Sequence, residues 1–316
     1  MEGIKKRPLV SICTLVYNHE PFLKECFEGF LMQKTNFAFE VLVHDDASTD
    51  NSAEIIREYT EKYPEIFKPI YQTENQYSKG IKISTTHQFP RAKGKYIAIC
   101  EGDDYWTDPL KLQKQVDILE SNDEFGCVYT AYKTVDTKSN PIEYLPSKYH
   151  MSRSYTGDIF YDLLVQNFPQ TLTVLFRKDL LSYEFNPPYS LDFSLFLSFA
   201  IQKNFYYLPD ITGAYRINPA GMVQSGELWK RFDFLAIEFY FFVEYLKSKH
   251  FKRDTTEDKR IKNILFEKKW CYVWKVKKKY HKYLIKIIWY APQYIVTIPL
   301  YLCRRKLKRI FPKYFI

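Results

Sequence analysis

Lys95 to Trp106, KYIAICEGDDYW, is the stretch whose reading decides the fold. Tyr96 to Cys100 is an almost unbroken apolar run with β-branched Ile97 and Ile99, the pattern of a strand covered on both faces in a parallel sheet. It ends abruptly in acid. Glu101, Asp103 and Asp104 place three carboxylates within four positions, and Gly102 lets the backbone turn between them. Like charges at that density repel unless a cation sits among them, so the turn predicts a bound divalent metal. The bland reading is a solvated acidic turn stabilised by the N-terminus of the next helix. Asp108 and Pro109 read as the N-cap and first residue of that helix, which carries Leu112, Val116 and Leu119 along one face.

Working outward, the same unit recurs upstream. Leu9 to Val16 is a buried strand ending at Tyr17-Asn18, and Pro21 to Gln33 follows as a helix. Phe39 to His44 is a second strand ending at Asp45-Asp46, and Asn51 with Glu54 predicts a capping box for a helix to about Lys62. A third strand around Phe67 to Gln72 and a helix near Ile81 to Ala92 lead back to the opening stretch. The order is that of an α/β fold with a mostly parallel sheet. In such sheets ligands lie beyond the carboxyl ends of the strands, where Tyr17, Asp45, Asp46, Glu101, Asp103 and Asp104 all fall. No G-x-G-x-x-G follows the first strand and no P-loop occurs, so neither a standard dinucleotide fold nor a P-loop NTPase is indicated.

Downstream, Phe125 to Val135 predicts a strand, Phe160 to Phe168 a helix and Thr171 to Phe176 a further strand. Leu191-Asp192-Phe193 opens an apolar helix to about Ile201, Tyr206 to Tyr215 returns as strand-like segments, and a loop begins at Arg216. The pattern is helical again at 228–249 and 258–290. A catalytic domain over 1–225 and a basic helical appendage over 226–316 are therefore expected.

Charge is distributed unevenly. The 316-residue chain has a net charge of +9, yet residues 268–316 hold fourteen Lys or Arg and no acid, leaving 32 basic against 37 acidic residues elsewhere. Within that tail Leu284 to Cys303 is long enough to span a bilayer but contains Lys286, Gln293, Pro292 and Pro299. With its flanking cations and Trp289, Tyr290, Tyr294 and Tyr301, it reads as an interfacial anchor on an anionic membrane surface; the bland alternative is a helical appendage with solvated lysines. No nucleic-acid module accompanies the basic residues, so nucleic acid is not an expected partner. The six scattered cysteines form no C-x-x-C pair, and no signal peptide is visible; both fit buried thiols in the cytoplasm.

VSICTLVYN (10–18), HDDASTD (44–50), AKGKYIAICEGDDYW (92–106), the Leu191-Asp192-Phe193 helix start and AYRINPAG (214–221) resemble, in that order, the inverting family 2 nucleotide-sugar glycosyltransferases of GT-A fold. The resemblance covers roughly residues 8–225. It implies that Asp103 holds Mg²⁺ or Mn²⁺ as the second acid of a D-x-D motif, with Glu101 in place of the first and closer to ribose or water. Asp104 would orient the donor sugar. Asp46 would accept from the base ring beside Asp45, with Thr14, Val16 and Tyr17 around a uracil or equivalent ring. On the residues alone, the bland reading of Asp45 and Asp46 is an Asx-turn into the next helix, which Ser48, Asp50 and Asn51 could satisfy without them, so two adjacent acids at a strand end favour a ligand role; Asp192 reads equally as an N-cap. The resemblance makes Asp192 the general base. The family's His near Asn218 is absent, which leaves Arg216 as the expected phosphate partner.

The implied reaction is inverting sugar transfer from a nucleotide-sugar, with UDP the expected nucleotide, to a glycan or lipid-linked acceptor at the cytosolic membrane face. A nucleotidyltransferase would also use an acidic metal site but needs a Gly-rich basic loop where YNHEPF stands. A non-catalytic nucleotide- or sugar-binding protein is the other alternative.

Overall fold

The computed structural model describes residues 7–143, 155–165, 167–182 and 191–218. The helices expected at 228–249 and 258–290, and the basic tail, lie outside these residues. The chain divides into a first unit (Met1–Ile159, Asn167–Phe185, Gln202–Gly226) and a second (Phe160–Gln166, Asn186–Ile201, Glu227–Ile316).

The first unit is built on strands β1 (Val10–Val16), β2 (Phe39–Asp45), β3 (Ile70–Tyr71), β4 (Tyr96–Ile99), β5 (Tyr105–Trp106), β6 (Phe125–Val135), β7 (Leu175–Arg177) and β8 (Asn204–Arg216). They form one sheet in the order β3-β2-β1-β4-β7-β6-β8-β5. β1 pairs in parallel with β2 and β4, and β2 with β3, as the apolar runs predict. Every residue of β4 is buried, so neither face can afford the alternation of a half-solvated strand. Beyond β4 the sheet becomes mixed. β7 is antiparallel to both β4 and β6, β5 is antiparallel to β8, and β6 runs parallel to β8 with bulges.

Helices α1 (Leu23–Leu31) and α2 (Ser52–Lys62) cover one face with α3 (Lys111–Ser121). Leu23, Phe27 and Phe30 of α1 meet Ile55, Ile56, Phe67 and Trp106 in the main apolar cluster. Phe27 lies edge-on to Phe67 with ring centroids 4.9 Å apart, and Phe30 to Trp106 at 4.8 Å. Gly29 is what lets α1 approach so closely, since a Cβ there would lie 2.9 Å from the Trp106 backbone nitrogen.

Buried glutamines tie the layers. Gln88 donates to the carbonyls of Thr14 (2.8 Å) and Leu42 (3.0 Å), and Gln115 to those of Val128 (3.1 Å) and Thr173 (2.8 Å). Each therefore bridges two backbone segments.

Three local expectations are corrected. The segment 81–92 is not an α-helix but a π-turn over Ser84–Gln88 continuing as a 3-10 turn over Phe89–Arg91, where Pro90 supplies no N–H. Asp108 does not cap α3 as its N-cap; its Oδ1 accepts from Leu110 N at 2.9 Å, an Asx-turn before a helix that starts at Lys111. Asn51 makes no capping box, because its side-chain amide donates to Glu20 at 2.8 Å and its backbone N–H to the same carboxylate at 3.1 Å. Cys13, Cys26, Cys100 and Cys127 are buried free thiols.

In the second unit, α4 (Phe160–Val165) and α5 (Leu191–Gln202) are described. Residues of α5 from Phe193 to Phe199 are buried all round, so it is an internal helix rather than an amphipathic surface one. No helix among the described residues is long and apolar enough to cross a membrane.

Candidate functional site

Parallel pairing brings three strand ends to one edge of the sheet. Val16 is in register with Asp45, and Cys13 with Ile99. The turns that follow are then fastened to β1: Asp46 N donates to Val16 O at 2.9 Å, and Gly102 N to Leu15 O at 2.9 Å. The Asp45-Asp46 pair and the Glu101–Asp104 turn thus flank the end of the same strand.

The chain leaving β1 is stitched to the chain leaving β2. Asn18, at φ 54°, donates its N–H to Ser48 Oγ (3.0 Å) and accepts from Thr49 N (2.8 Å) at its side-chain oxygen. His19 N donates to Ser52 Oγ and Glu20 N to Asp50 Oδ2, both at 3.0 Å. Ala47 adopts φ 61°, a left-handed conformation that the fastening on both sides enforces. The turn predicted from Ser48, Asp50 and Asn51 is therefore a two-loop junction, which explains why these polar residues crowd one side of the helix start.

The acids differ in environment. Asp45 is buried and its carboxyl is pushed upward by that burial, partly countered by Ser48, whose hydroxyl donates to Oδ1 at 2.5 Å. Asp46 is buried too, and both its oxygens accept from backbone: Gln76 N at 2.7 Å and Tyr77 N at 3.1 Å. Asp104 is wholly buried, which drives its pKa well above the usual carboxylate range, and the neighbouring charge of Asp103 acts in the same direction. Its Oδ1 accepts from Arg216 N at 2.8 Å. Asp103 is partly exposed, with Asn218 Nδ2 at 3.4 Å from Oδ2 and His19 Nε2 at 3.9 Å. Glu101 is likewise partly exposed.

Arg216, at the end of β8, holds this corner. Its guanidinium donates to Asp103 O (2.8 Å), Asp136 O (3.0 Å), Ser139 Oγ (3.1 Å) and Glu25 Oε2 (2.6 Å), and lies 4.5 Å from the centroid of the Phe22 ring. Four of its five N–H groups are used within the protein. Thr14 is fully buried with no partner for its hydroxyl, Val16 is buried, and Tyr17 is exposed at the strand end. Asp192 stands in the first turn of α5, one residue inside the helix and partly exposed, in the second unit.

Residues 11–182 match the family described as Glycosyl transferase family 2. The chain belongs to that family. Among its relatives is the uncharacterized protein Rv1520 of Mycobacterium tuberculosis, 35% identical over 219 residues, 68% of this chain and 61% of that protein. The chain thus spans about three fifths of that relative's length. Two solved structures share the fold of this family 2 chain. S. aureus TarS 1-349 in complex with UDP-GlcNAc is 17% identical with a TM-score of 0.61, covering 89% of this chain and 80% of that one. The mannosyltransferase PcManGT of Pyrobaculum calidifontis, in complex with GDP-Man and Mn²⁺, is 16% identical with a TM-score of 0.55, covering 97% and 88%.

Two parts of this candidate site were not singled out from the sequence. Glu25 reaches Arg216 across 191 positions, which no local pattern signals. His19 directly follows the Tyr17-Asn18 strand end, and that adjacency was the available clue. Its ring is largely buried, and burial lowers its pKa against the opposing pull of Asp103.

Proposed function

We propose that this chain transfers a sugar from a nucleotide donor, a UDP-sugar being the expected one, to an acceptor hydroxyl with inversion at the anomeric carbon. What supports the reading most is the junction of three strand ends, where Asp45, Asp46, Asp103 and Asp104 flank β1 in a chain of this family.

Asp103 is assigned the metal, Mg²⁺ or Mn²⁺. The donor suits a hard cation, since the Asp103 carboxylate is partly exposed and offers oxygen. Such a site would be completed by the donor diphosphate and water. When bound, the cation offsets charge gathering on the nucleoside diphosphate as the glycosidic bond breaks.

The protein's own residues do the rest. Asp45 and Asp46, with Thr14, Val16 and Tyr17, are assigned to the base and ribose end, Glu101 to the ribose, and Asp104 to the donor sugar. Arg216 was expected to pair with a phosphate. Its donors are spent on Asp103 O, Asp136 O, Ser139 and Glu25, so the role proposed now is to position the Asp103-Asp104 corner. Asp192 is assigned as general base. It takes the acceptor hydroxyl proton as that oxygen bonds to the anomeric carbon, while the carbon–phosphate-oxygen bond breaks and its electron pair leaves on the diphosphate.

A lipid-linked or surface glycan precursor is the proposed acceptor, at the cytosolic face of a membrane met through the basic residues 268–316. The test is thermal unfolding against nucleotides and sugar nucleotides with and without Mn²⁺. A nucleoside diphosphate should raise the midpoint only with metal, and Asp103→Asn should remove the rise. No shift with any of them, in a folded protein, overturns the reading.

A further inference from the structure

We infer that His19 contacts the diphosphate of the donor, through its Nε2–H, on the flank of Asp103. The inference rests on the glycosyltransferase reading above and adds to it a residue that none of the assignments there uses.

The backbone of His19 is fixed on both sides. Its N–H donates to Ser52 Oγ at 3.0 Å, and its carbonyl accepts from Phe22 N at 2.9 Å and Leu23 N at 3.1 Å, closing the first turn before α1. The ring is therefore presented by a rigid junction, not by a loose loop. It packs on Gly102, where a Cβ would stand 2.8 Å from Nδ1, so the absence of a side chain in the acidic turn is what admits the imidazole. Nδ1 is buried without a hydrogen-bond partner.

That orphaned nitrogen sets the chemistry. A buried N–H with no acceptor is rarer than a buried lone pair with no donor, so the neutral ring carries its proton on Nε2. Nε2 lies 3.9 Å from Asp103 Oδ2, beyond hydrogen-bonding distance. The donor thus faces the carboxylate assigned to the cation without being consumed by it. An oxyanion bound to that cation is the group that satisfies both.

Two other roles fit less well. A metal-ligating histidine normally donates its second N–H to a carboxylate or carbonyl, and Nδ1 has neither. A purely structural filler at this position would be better served by an apolar ring, because the imidazole leaves Nδ1 unsatisfied.

The experiment compares wild type, His19→Phe and His19→Gln in the full chain, with calorimetric titration of UDP, UMP and uridine, and of GDP, GMP and guanosine, in Mn²⁺. Mn²⁺ binding without nucleotide is followed by electron paramagnetic resonance. For whichever nucleotide wild type binds, His19→Phe is expected to weaken the diphosphate about tenfold while changing nucleoside and monophosphate less than twofold. His19→Gln, which retains a donor, should recover part of the loss. Equal losses for all three ligands would mean that the ring only shapes the fold, and a parallel loss of Mn²⁺ affinity without nucleotide would make it a metal ligand; either overturns the inference. Unchanged binding in both variants also overturns it, and leaves the donor-site reading standing. If wild type binds no nucleoside diphosphate, that reading fails and this one falls with it.

Discussion

The backbone N–H of Arg216 donates to Asp104 Oδ1 at 2.8 Å, while the same residue's Nε donates to the carbonyl of Asp103, also at 2.8 Å. One residue at the end of β8 thereby holds Asp103 and Asp104 in the turn that follows β4. The grip extends to Glu25 on α1 and to the 136–139 turn after β6, so elements far apart in sequence meet on one guanidinium.

Replacing Arg216 by Lys keeps the charge and loses the fork. A lysine ammonium cannot reach Asp103 O, Asp136 O and Glu25 together, and its compact charge would sit where a flat group stacks on Phe22. Arg216→Lys is expected to cost about 1–2 kcal/mol, since the part-buried acceptors at Asp103, Asp136 and Ser139 lose their donors. Urea unfolding should show a lower midpoint at unchanged slope.

A second prediction concerns pH. Lys111 is completely buried, and that burial lowers its pKa to about 7. Its Nζ donates to Gln115 Oε1 at 2.6 Å and lies 4.4 Å from the Trp106 ring centroid. The unfolded chain binds the proton up to the ordinary lysine range, whereas the folded chain releases it near neutrality. Stability therefore rises as pH increases from about 7 toward about 10, and is lower and level below that window. Lys111→Met should stabilise the protein by about 1–3 kcal/mol at pH 7, the relief of the buried charge exceeding the loss at Gln115. Thermal midpoints measured at several pH values should show the advantage shrinking toward alkaline pH. A gap independent of pH would mean that Lys111 keeps its proton on folding.

The legible parts of this protein were those written locally. β1, β2 and β4 are short apolar runs closed by acids or by Tyr17-Asn18, so strand, end and edge could all be read together, and β6 was bounded at Phe125 and Val135 as found. β7 could be placed as a strand near 171–176, but three residues carry no pairing information, and its antiparallel insertion between β4 and β6 is a tertiary choice. Asn51 shows the same limit at a smaller scale. Its spacing to Glu54 satisfied a capping rule, yet Glu20, brought in by the β1 loop, offered a charged acceptor instead. The strand-end acids of the candidate site were visible because carboxylates after an apolar run are conspicuous. The group that holds them, Arg216 with Glu25 and Ser139, was visible only as separate residues.

Ala47 tests how rigid the junction between the β1 and β2 loops is. At φ 61° an alanine carries left-handed strain of about 1–2 kcal/mol, which glycine would not, though glycine loses about 0.5–1 kcal/mol more backbone entropy on folding. Ala47→Gly is therefore expected to lie between neutral and about 1.5 kcal/mol stabilising. Ala47→Val, branched at Cβ, should destabilise by about 1–3 kcal/mol. Chemical unfolding of the two variants decides the point: equal stabilities would show that the junction relaxes around position 47 and does not impose the conformation.

Gly29 controls the contact between α1 and the strand that follows the acidic turn. A Cβ there would stand 2.9 Å from Trp106 N and 3.0 Å from Trp106 O, and both are backbone atoms of β5 that cannot swing aside as a side chain would. Trp106 is further tied down by its indole N–H, which donates to Leu172 O at 2.8 Å, and by β5 pairing with β8. Helix α1 must then move outward, loosening the Phe30–Trp106 contact and the reach of Glu25 to Arg216. Gly29→Ala is expected to cost about 1–3 kcal/mol despite the better helix propensity of alanine, which alone would favour it by about 1 kcal/mol. Gly157, at φ 127° with open space around it, is the control: alanine there meets no atom, so any loss comes from backbone strain alone. If both variants weaken donor-nucleotide binding equally, the spacing of α1 from β5 does not reach the site. A selective loss in Gly29→Ala is the expected result, because Glu25, Arg216 and Asp104 form one continuous chain of contacts from that helix to the acidic turn.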